Sequence, residues 1–450
     1  MNGEYDTIAA IATPPGRGGV SIVKISGHRS LQIAMQIAGQ EPQVRVVQVA
    51  RFRNADGILI DQGLLLYFKG PASYTGEDVV EIHGHGGAVV PQLLLDCVIR
   101  LGARHARPGE FTERAFLNGK LDLAQAEAVV DLIESRSVQA AKMAIRSLQG
   151  YFSDEVRRLS NALLDIRVHV EGVLDFPEED PALLADGAIL DRLLGTRQSL
   201  ERMLENSRKG QLFREAVRVV IIGRPNVGKS SLLNRLSGSE RAIVMATPGT
   251  TRDVIEQSMF LDGLQIEVVD TAGVHETEDP VEREGVRRTL REMENADLIL
   301  LISDSDEGLS ADRRYFEPWL DPDKKLIQVR NKIDLDCDHA KRSGSVAADR
   351  VFLSARTGNG LPLLMDTIRE AAGLTIRDEN VYLARSRHIE ALQQAGYHLG
   401  AAYAWMSRQS SLDLAAEELL QAHQCLGRIT GEIHSDELLG EIFSRFCIGK

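Results

Sequence analysis

The stretch VRVVIIGRPNVGKSSLLNRL, residues 217–236, decides the fold of the segment around it. Its opening VRVVIIG is an almost continuous apolar run, as expected of a central parallel strand covered on both faces. GRPNVGKS (223–230) then fits the phosphate-loop spacing G-x4-G-K-[ST], and SSLLNRL reads as a helix. Strand, glycine-rich turn and helix in that order separate a phosphate loop from a chance turn. The glycines let the backbone wrap so that its N–H groups point at phosphates, and the helix adds the positive end of its dipole. Lys229 is expected to neutralise β- and γ-phosphate charge and Ser230 to ligate Mg²⁺. The nucleotide contacts expected here are Asn226, Val227, Gly228, Lys229, Ser230 and Ser231.

Further elements follow in order, each at or near the end of an expected strand. Gly249, Thr250 and Thr251 open GTTRD (249–253), where the Thr251 hydroxyl would complete the Mg²⁺ shell. DTAG follows the strand IEVV: Asp270 would hold the Mg²⁺ shell through water, Thr271 and Ala272 would line the site, and Gly273 would offer its N–H to the γ-phosphate. NKID follows the strand LIQVR, bringing Asn331, Lys332 and Asp334. The Asp334 carboxylate can accept from the N1–H and exocyclic amine of guanine, a pair that adenine lacks, so the site selects GTP over ATP. Ser354, Ala355 and Arg356 follow RVFL, where a backbone N–H can meet the guanine oxygen. Such strand ends are the ligand-binding edge of an open parallel sheet.

Hydrolysis needs two more things. Val274 stands where Ras-type enzymes place a water-orienting glutamine. Glu282 is the candidate general base, directly or through a second water. The missing positive charge could come from Arg252, Arg283, Arg287 or Arg288, or from a monovalent cation beside Asn226. Asn226 could equally close a turn on its own backbone.

Around this core the chain changes character. Residues 1–119 mix β-like runs at 21–25, 63–68 and 78–82 with Gly-rich turns at 14–19 and 83–87, an α+β pattern. Residues 120–215 place apolar residues three and four apart, as helices do, with a break near DFPEEDP (175–181). Residues 216–373 alternate strands and helices, and 374–450 return to helix. The chain is therefore expected to be multidomain: an α+β N-terminal domain, an all-α helical domain, and an α/β P-loop GTPase domain inserted into it. Asp262–Gly263 reads as a hairpin turn. No run of about 18 apolar residues suggests a membrane span. Four scattered cysteines with no close CxxC pair fit a reducing cytoplasm. The net charge of −13 argues against unaided nucleic-acid binding. A local patch at Arg100, Arg104, His105, Arg107 and Arg114 is a candidate, with a solvated surface as the plainer alternative. His83 and His85 alone are weak as a metal pair.

The phosphate loop, GTTRD, DTAG, NKID, the blocks at 12–27, 74–87 and 111–128, and the terminal FCIGK together resemble the MnmE (TrmE) family of bacterial tRNA-modification GTPases over the whole chain. The resemblance implies an N-terminal folate-binding and dimerisation domain, a homodimer, and potassium-dependent meeting of the GTPase domains. It implies an FAD-dependent partner, MnmG (GidA), forming a heterotetramer. With it, an aminomethyl or carboxymethylaminomethyl group is placed on the wobble uridine of certain tRNAs, the carbon coming from a 5-formyl- or methylene-tetrahydrofolate. Potassium ligands would be Asn226, the carbonyls of Met245 and Thr247, and Thr250. The nucleotide contacts extend to Met245, Ala246, Thr247 and Pro248. Glu282 matches the family's proposed general base, and Lys24, Glu81, Lys120 and Lys450 its folate contacts. Cys447 matches a family cysteine once considered catalytic, with a packed thiol as the alternative. Lys24 and His275 depart from arginines common there, and Pro248 from a small residue. Two other readings are a ribosome-assembly GTPase switch without modification chemistry and a folate enzyme regulated by GTP.

Overall fold

The computed structural model describes residues 6–135, 137–175, 188–214, 217–238, 242–244, 255–261, 264–270, 280–321, 324–335, 346–347, 350–371, 381–408, 411–444 and 446–449. The chain divides into two compact units. One comprises residues 1–130, 146–197 and 394–450; the other comprises 131–145 and 198–393.

The first unit carries an α+β core. Its sheet has the order β3-β4-β5-β2-β1-β6, with β1 Ile8–Ile11, β2 Ser21–Ser26, β3 Gln48–Arg53, β4 Leu59–Phe68, β5 Val79–Gly84 and β6 Arg104–His105. One face packs on α1 (Ser30–Ala38) and α2 (Val90–Arg100) through Val23, Ile25, Ile33, Leu65, Ile82 and Leu94. The strands alternate buried and half-exposed residues, the period-two signature of a sheet covered on one side. After α3 (Glu110–Leu117) and α4 (Leu123–Glu134) the chain runs through α5 (Val138–Leu148), most of which belongs to the second unit, the long α6 (Tyr151–Asp175), and α7 (Ala188–Arg214), of which residues 188–197 belong to the first. The break expected near 175–181 falls, from residue 176 on, outside the described residues. In this unit α6 lies along α13 (Leu412–Thr430), and α14 (Asp436–Ser444) meets α3 and α4 through Phe443, Phe446 and Leu123.

The second unit contains a sheet of order β13-β14-β12-β11-β7-β10-β9-β8. Its parallel centre is β7 (Val217–Ile222), β10 (Leu264–Asp270), β11 (Leu298–Ser303), β12 (Lys325–Arg330) and β14 (Arg350–Phe352). At the edges run β8 (Ala242–Val244), β9 (Ile255–Leu261) and β13 (Val346–Ala347). β9 and β10 pair antiparallel with Leu261 opposite Leu264, as a hairpin requires; Asp262 and Gly263 themselves lie outside the described residues. Helices cover both faces. α8 (Lys229–Ser237) and α11 (Leu361–Ala371) close one side through Leu232, Leu236, Leu364 and Ile368. α9 (Pro280–Asn295) and α10 (Asp306–Phe316) close the other through Met293, Leu309 and Phe316. Each such fully buried side chain stabilises by about 1.5–3 kcal/mol relative to exposure. α12 (Ser386–Ser407) follows. Among the described residues no helix is long and apolar enough to cross a membrane.

Candidate functional site

Gly223 to Gly228 make the turn from β7 into α8, and their backbone demands glycine at both ends. Gly223 and Gly228 have φ of +152° and +102°. A Cβ on Gly223 would strike the Ile302 carbonyl, and one on Gly228 the Asn331 amide. Asn226, at φ +64°, holds a left-handed conformation that asparagine tolerates better than most residues.

The loop's carbonyls are met from outside, one after another. Lys229 Nζ donates to the carbonyls of Gly223 (3.0 Å) and Arg224 (2.9 Å). Lys332 Nζ donates to the Asn226 carbonyl at 2.8 Å and pairs with Asp304 at 3.0 Å. Asn331 Nδ2 donates to the Val227 carbonyl at 2.9 Å, while its Oδ1 accepts the Ala355 N–H at 2.9 Å. A turn whose carbonyls are tied outward keeps its N–H groups for an anion, and the α8 N-terminus adds to their field. Asn331 is buried and joins the phosphate loop to the 354–356 loop.

Asp334 faces the same edge. Ser354 Oγ donates to its Oδ1 at 2.6 Å and the Arg356 guanidinium pairs with Oδ2 at 2.8 Å. The Ser354 hydroxyl, outweighing a smaller desolvation, holds this carboxyl below its ordinary value, with Arg356 and Lys332 helping. At neutral pH it is an acceptor only, the form a guanine donor edge requires.

The structure thus gathers Asn226, Val227, Gly228, Lys229, Ser230, Ser231, Asn331, Lys332, Asp334, Ser354, Ala355 and Arg356 at the carboxyl edge of the parallel sheet. Asp270 closes β10 opposite Ile221 on β7, so its backbone reaches the same edge. Residues 245–251 and 271–273 lie outside the described residues, as do the side chains of Asp270 and Glu282; Glu282 falls in the first turn of α9. For magnesium the donors fit: Ser230 offers a hydroxyl on the exposed first turn of α8, and Asp270 ends the adjacent strand. These are hard oxygen donors of the kind that ion takes.

Sequence reasoning did not find Arg224, whose guanidinium reaches Asp312 of α10. A pairing across 88 residues leaves no local signal.

In the other unit, Lys24 and Glu81 face each other across β2 and β5, 4.0 Å apart. Lys24 Nζ lies 5.2 Å from the Tyr74 ring and 5.5 Å from that of Phe111, a cation–π environment. Lys120 Nζ bonds the Pro71 carbonyl, beside the segment that carries Tyr74. Lys450 lies outside the described residues, but Gly449 packs against Ile11 and Ala12. Two readings are redirected here, those of Cys447 and of the arginine cluster. Cys447 is exposed, so it is not a packed thiol. Arg104, Arg107 and Arg114 are spent on Asp6, Glu77, Glu110 and Glu113, so these three make no free basic patch. His83 turns to Glu81 and His85 to Asp61, different carboxylates. Among the described residues, no three His, Cys, Asp or Glu side chains are grouped to hold a metal.

A phosphate cradle joined through Asn331 to a carboxylate whose form suits a guanine donor edge is the arrangement of a P-loop protein of the GTPase class. The MnmE helical domain matches residues 123–447 and the N-terminus of GTP-binding protein TrmE matches residues 7–120. The chain belongs to the MnmE/TrmE family. Similar full-length proteins are the tRNA modification GTPase MnmE of Azoarcus sp. (strain BH72), 52% identical over 99% of this chain and 98% of that one, and that of Nitrosococcus oceani, 49% identical over 99% and 97%. A shorter likeness is to a point variant of Aquifex aeolicus Era bound to GDP·AlF4⁻: 28% identity, 41% of this chain, 67% of that one, TM-score 0.28.

Proposed function

We propose that this chain hydrolyses GTP in the service of tRNA modification. The observation that carries the nucleotide half is Asn331, which fixes the phosphate loop and the base-recognition loop with one side chain. The tRNA half rests on near-complete coverage by relatives that bear that name. Lys229 is positioned to meet phosphate charge and Asp334 to check the base. Magnesium, when bound through Ser230, Thr251 and water on Asp270, supplies further neutralisation of the triphosphate. Glu282 serves as the base that orients water.

In finer detail, the family resemblance supports a cytoplasmic homodimer that works with FAD-dependent MnmG on the wobble uridine, with tRNA reached through that complex. Lys24, Glu81, Lys120 and Lys450 hold a tetrahydrofolate; the Lys24–Glu81 pair beside Tyr74 and Phe111 supports this by offering a cation, an acceptor and two rings in one place. Potassium sits on Asn226, Met245, Thr247 and Thr250.

Mass spectrometry of tRNA nucleosides from a strain lacking the gene tests the whole reading. The modified wobble uridine is expected to disappear and its precursor to accumulate; an unchanged nucleoside profile would overturn it. For the cation, GTP turnover is expected to be markedly faster in potassium than in sodium. Equal rates would remove potassium from Asn226.

A further inference from the structure

The phosphate loop has one outer fastening that lies outside the sequence motifs. Arg224, the loop's second residue, donates through Nε to Asp312 Oδ1 at 2.6 Å. The two ends of this pair differ sharply: the Arg224 side chain is 57% exposed, and that of Asp312 only 3%. The Arg224 carbonyl also accepts from Lys229 Nζ. The same residue therefore ties the loop to α10 by its side chain and seats the phosphate-binding lysine by its backbone.

Asp312 is an expensive way to make such a tie. Its second oxygen, Oδ2, is buried and has no hydrogen-bond partner among the described residues. Burial pushes its carboxyl up, and the Arg224 guanidinium offsets only part of that; Asp304 raises it further and Lys229 lowers it. A buried carboxylate with one oxygen unpaired is poor structural material, and because Arg224 is mostly exposed, neutralising Asp312 strands no buried charge. A costly group retained beside a binding loop points to function more than to fold.

We propose that Asp312 is a positioning residue for nucleotide binding: by holding Arg224 it fixes the part of the loop that seats Lys229. This rests on the reading that residues 223–230 bind GTP, and it adds a residue from α10 to that site.

The test uses the full chain loaded with a fluorescent GDP analogue, comparing wild type with Asp312→Asn, Arg224→Ala and the double variant. Each single variant is expected to release the analogue faster by on the order of tenfold, the scale of one charge-assisted hydrogen bond. The double variant should add little, since both changes cut one link. The melting temperature of Asp312→Asn should hold or rise. Unchanged release in both single variants overturns the proposal, as does a melting temperature that falls while release stays at the wild-type rate. Fully additive effects overturn it too. Arg224→Ala alters an exposed side chain, so it keeps the test open should Asp312→Asn fold poorly. If wild type itself retains no guanine nucleotide, the GTP reading falls and takes this proposal with it; wild-type retention with indifferent variants removes the proposal alone.

Discussion

Exchange of Asp334 for asparagine is expected to weaken GTP binding by about 10²–10⁴-fold and to admit xanthosine triphosphate in its place. Guanine presents two adjacent donors, N1–H and the exocyclic amine, to a group that accepts at both oxygens. Hydrogen bonds to a charged partner contribute about 1.5–3 kcal/mol each, so losing two such contacts spans that range. Asparagine keeps one acceptor but turns a donor toward the amine, which adds repulsion to loss. Xanthine carries a carbonyl where guanine carries the amine, and the asparagine amide can donate to it. The Arg356–Asp334 pair is also lost, but Arg356 is mostly exposed. Exposed pairs contribute about 0–1 kcal/mol, so the base contacts decide the outcome. Competition of GTP, xanthosine triphosphate and ATP against a fluorescent guanine nucleotide reads the result directly. An Asp334→Asn chain that still prefers GTP would mean that the base is recognised elsewhere.

The sequence was most legible where function is written in contiguous residues at strand ends. VRVVIIG, LILLIS and LIQVR reappear as β7, β11 and β12 almost residue for residue, because strands buried on both faces need unbroken apolar runs. The phosphate loop, NKID and the residues 354–356 then fall at the sheet's carboxyl edge by topology alone. What the strings could not carry was pairing at a distance. Asn331 is recognisable as part of NKID, yet its grip on Val227, 104 residues earlier, is a property of the fold. Asp312 is one acid among many until Arg224 is brought to it. Arg104, Arg107 and Arg114 left two readings open for the same reason: their carboxylate partners include Asp6 and Glu77, far away in sequence and close in space. Cys447 shows the converse limit, since a short apolar tail suggests burial but Phe446, not its neighbour, takes the core position.

Those arginines define the second large expectation. Arg114 on α3 is nearly buried and donates to the Asp6 carbonyl (2.8 Å), to Glu77 (3.0 Å) and to Glu110 (3.1 Å). Glu110 is 2% exposed and also accepts from the Arg107 N–H and from Arg104, each at 2.8 Å. Substitution of Arg114 by methionine preserves much of the apolar stem; Glu110 keeps Arg104 and Arg107, but the nearly buried Glu77 is left with the Ser26 hydroxyl and without its guanidinium. Breaking a buried pair in this way costs about 3–5 kcal/mol. Replacing Glu77 by glutamine together with Arg114 should cost less than replacing Arg114 alone, because no uncompensated charge is left at that position. The network also sets a pH dependence. Burial pushes the Glu110 carboxyl up, but Arg104, the Arg107 amide and Arg114 together bring it below its ordinary value. Asp6 is held low chiefly by its bond to Arg104. Carboxyls lowered on folding contribute stability that is fully present above their unfolded values, about 3.9 for Asp and 4.3 for Glu. That stability drains away as the pH falls through the lower folded values. Amide hydrogen exchange in β1 and α3, taken relative to free amides, whose own exchange slows over that range, should therefore speed up as the pH falls from about 5 to about 3. In Arg114→Met it should be fast already at neutral pH and show a shallower pH response. Equal protection of β1 and α3 in that variant would mean that apolar packing around Phe111, rather than the charge network, secures α3 to the sheet.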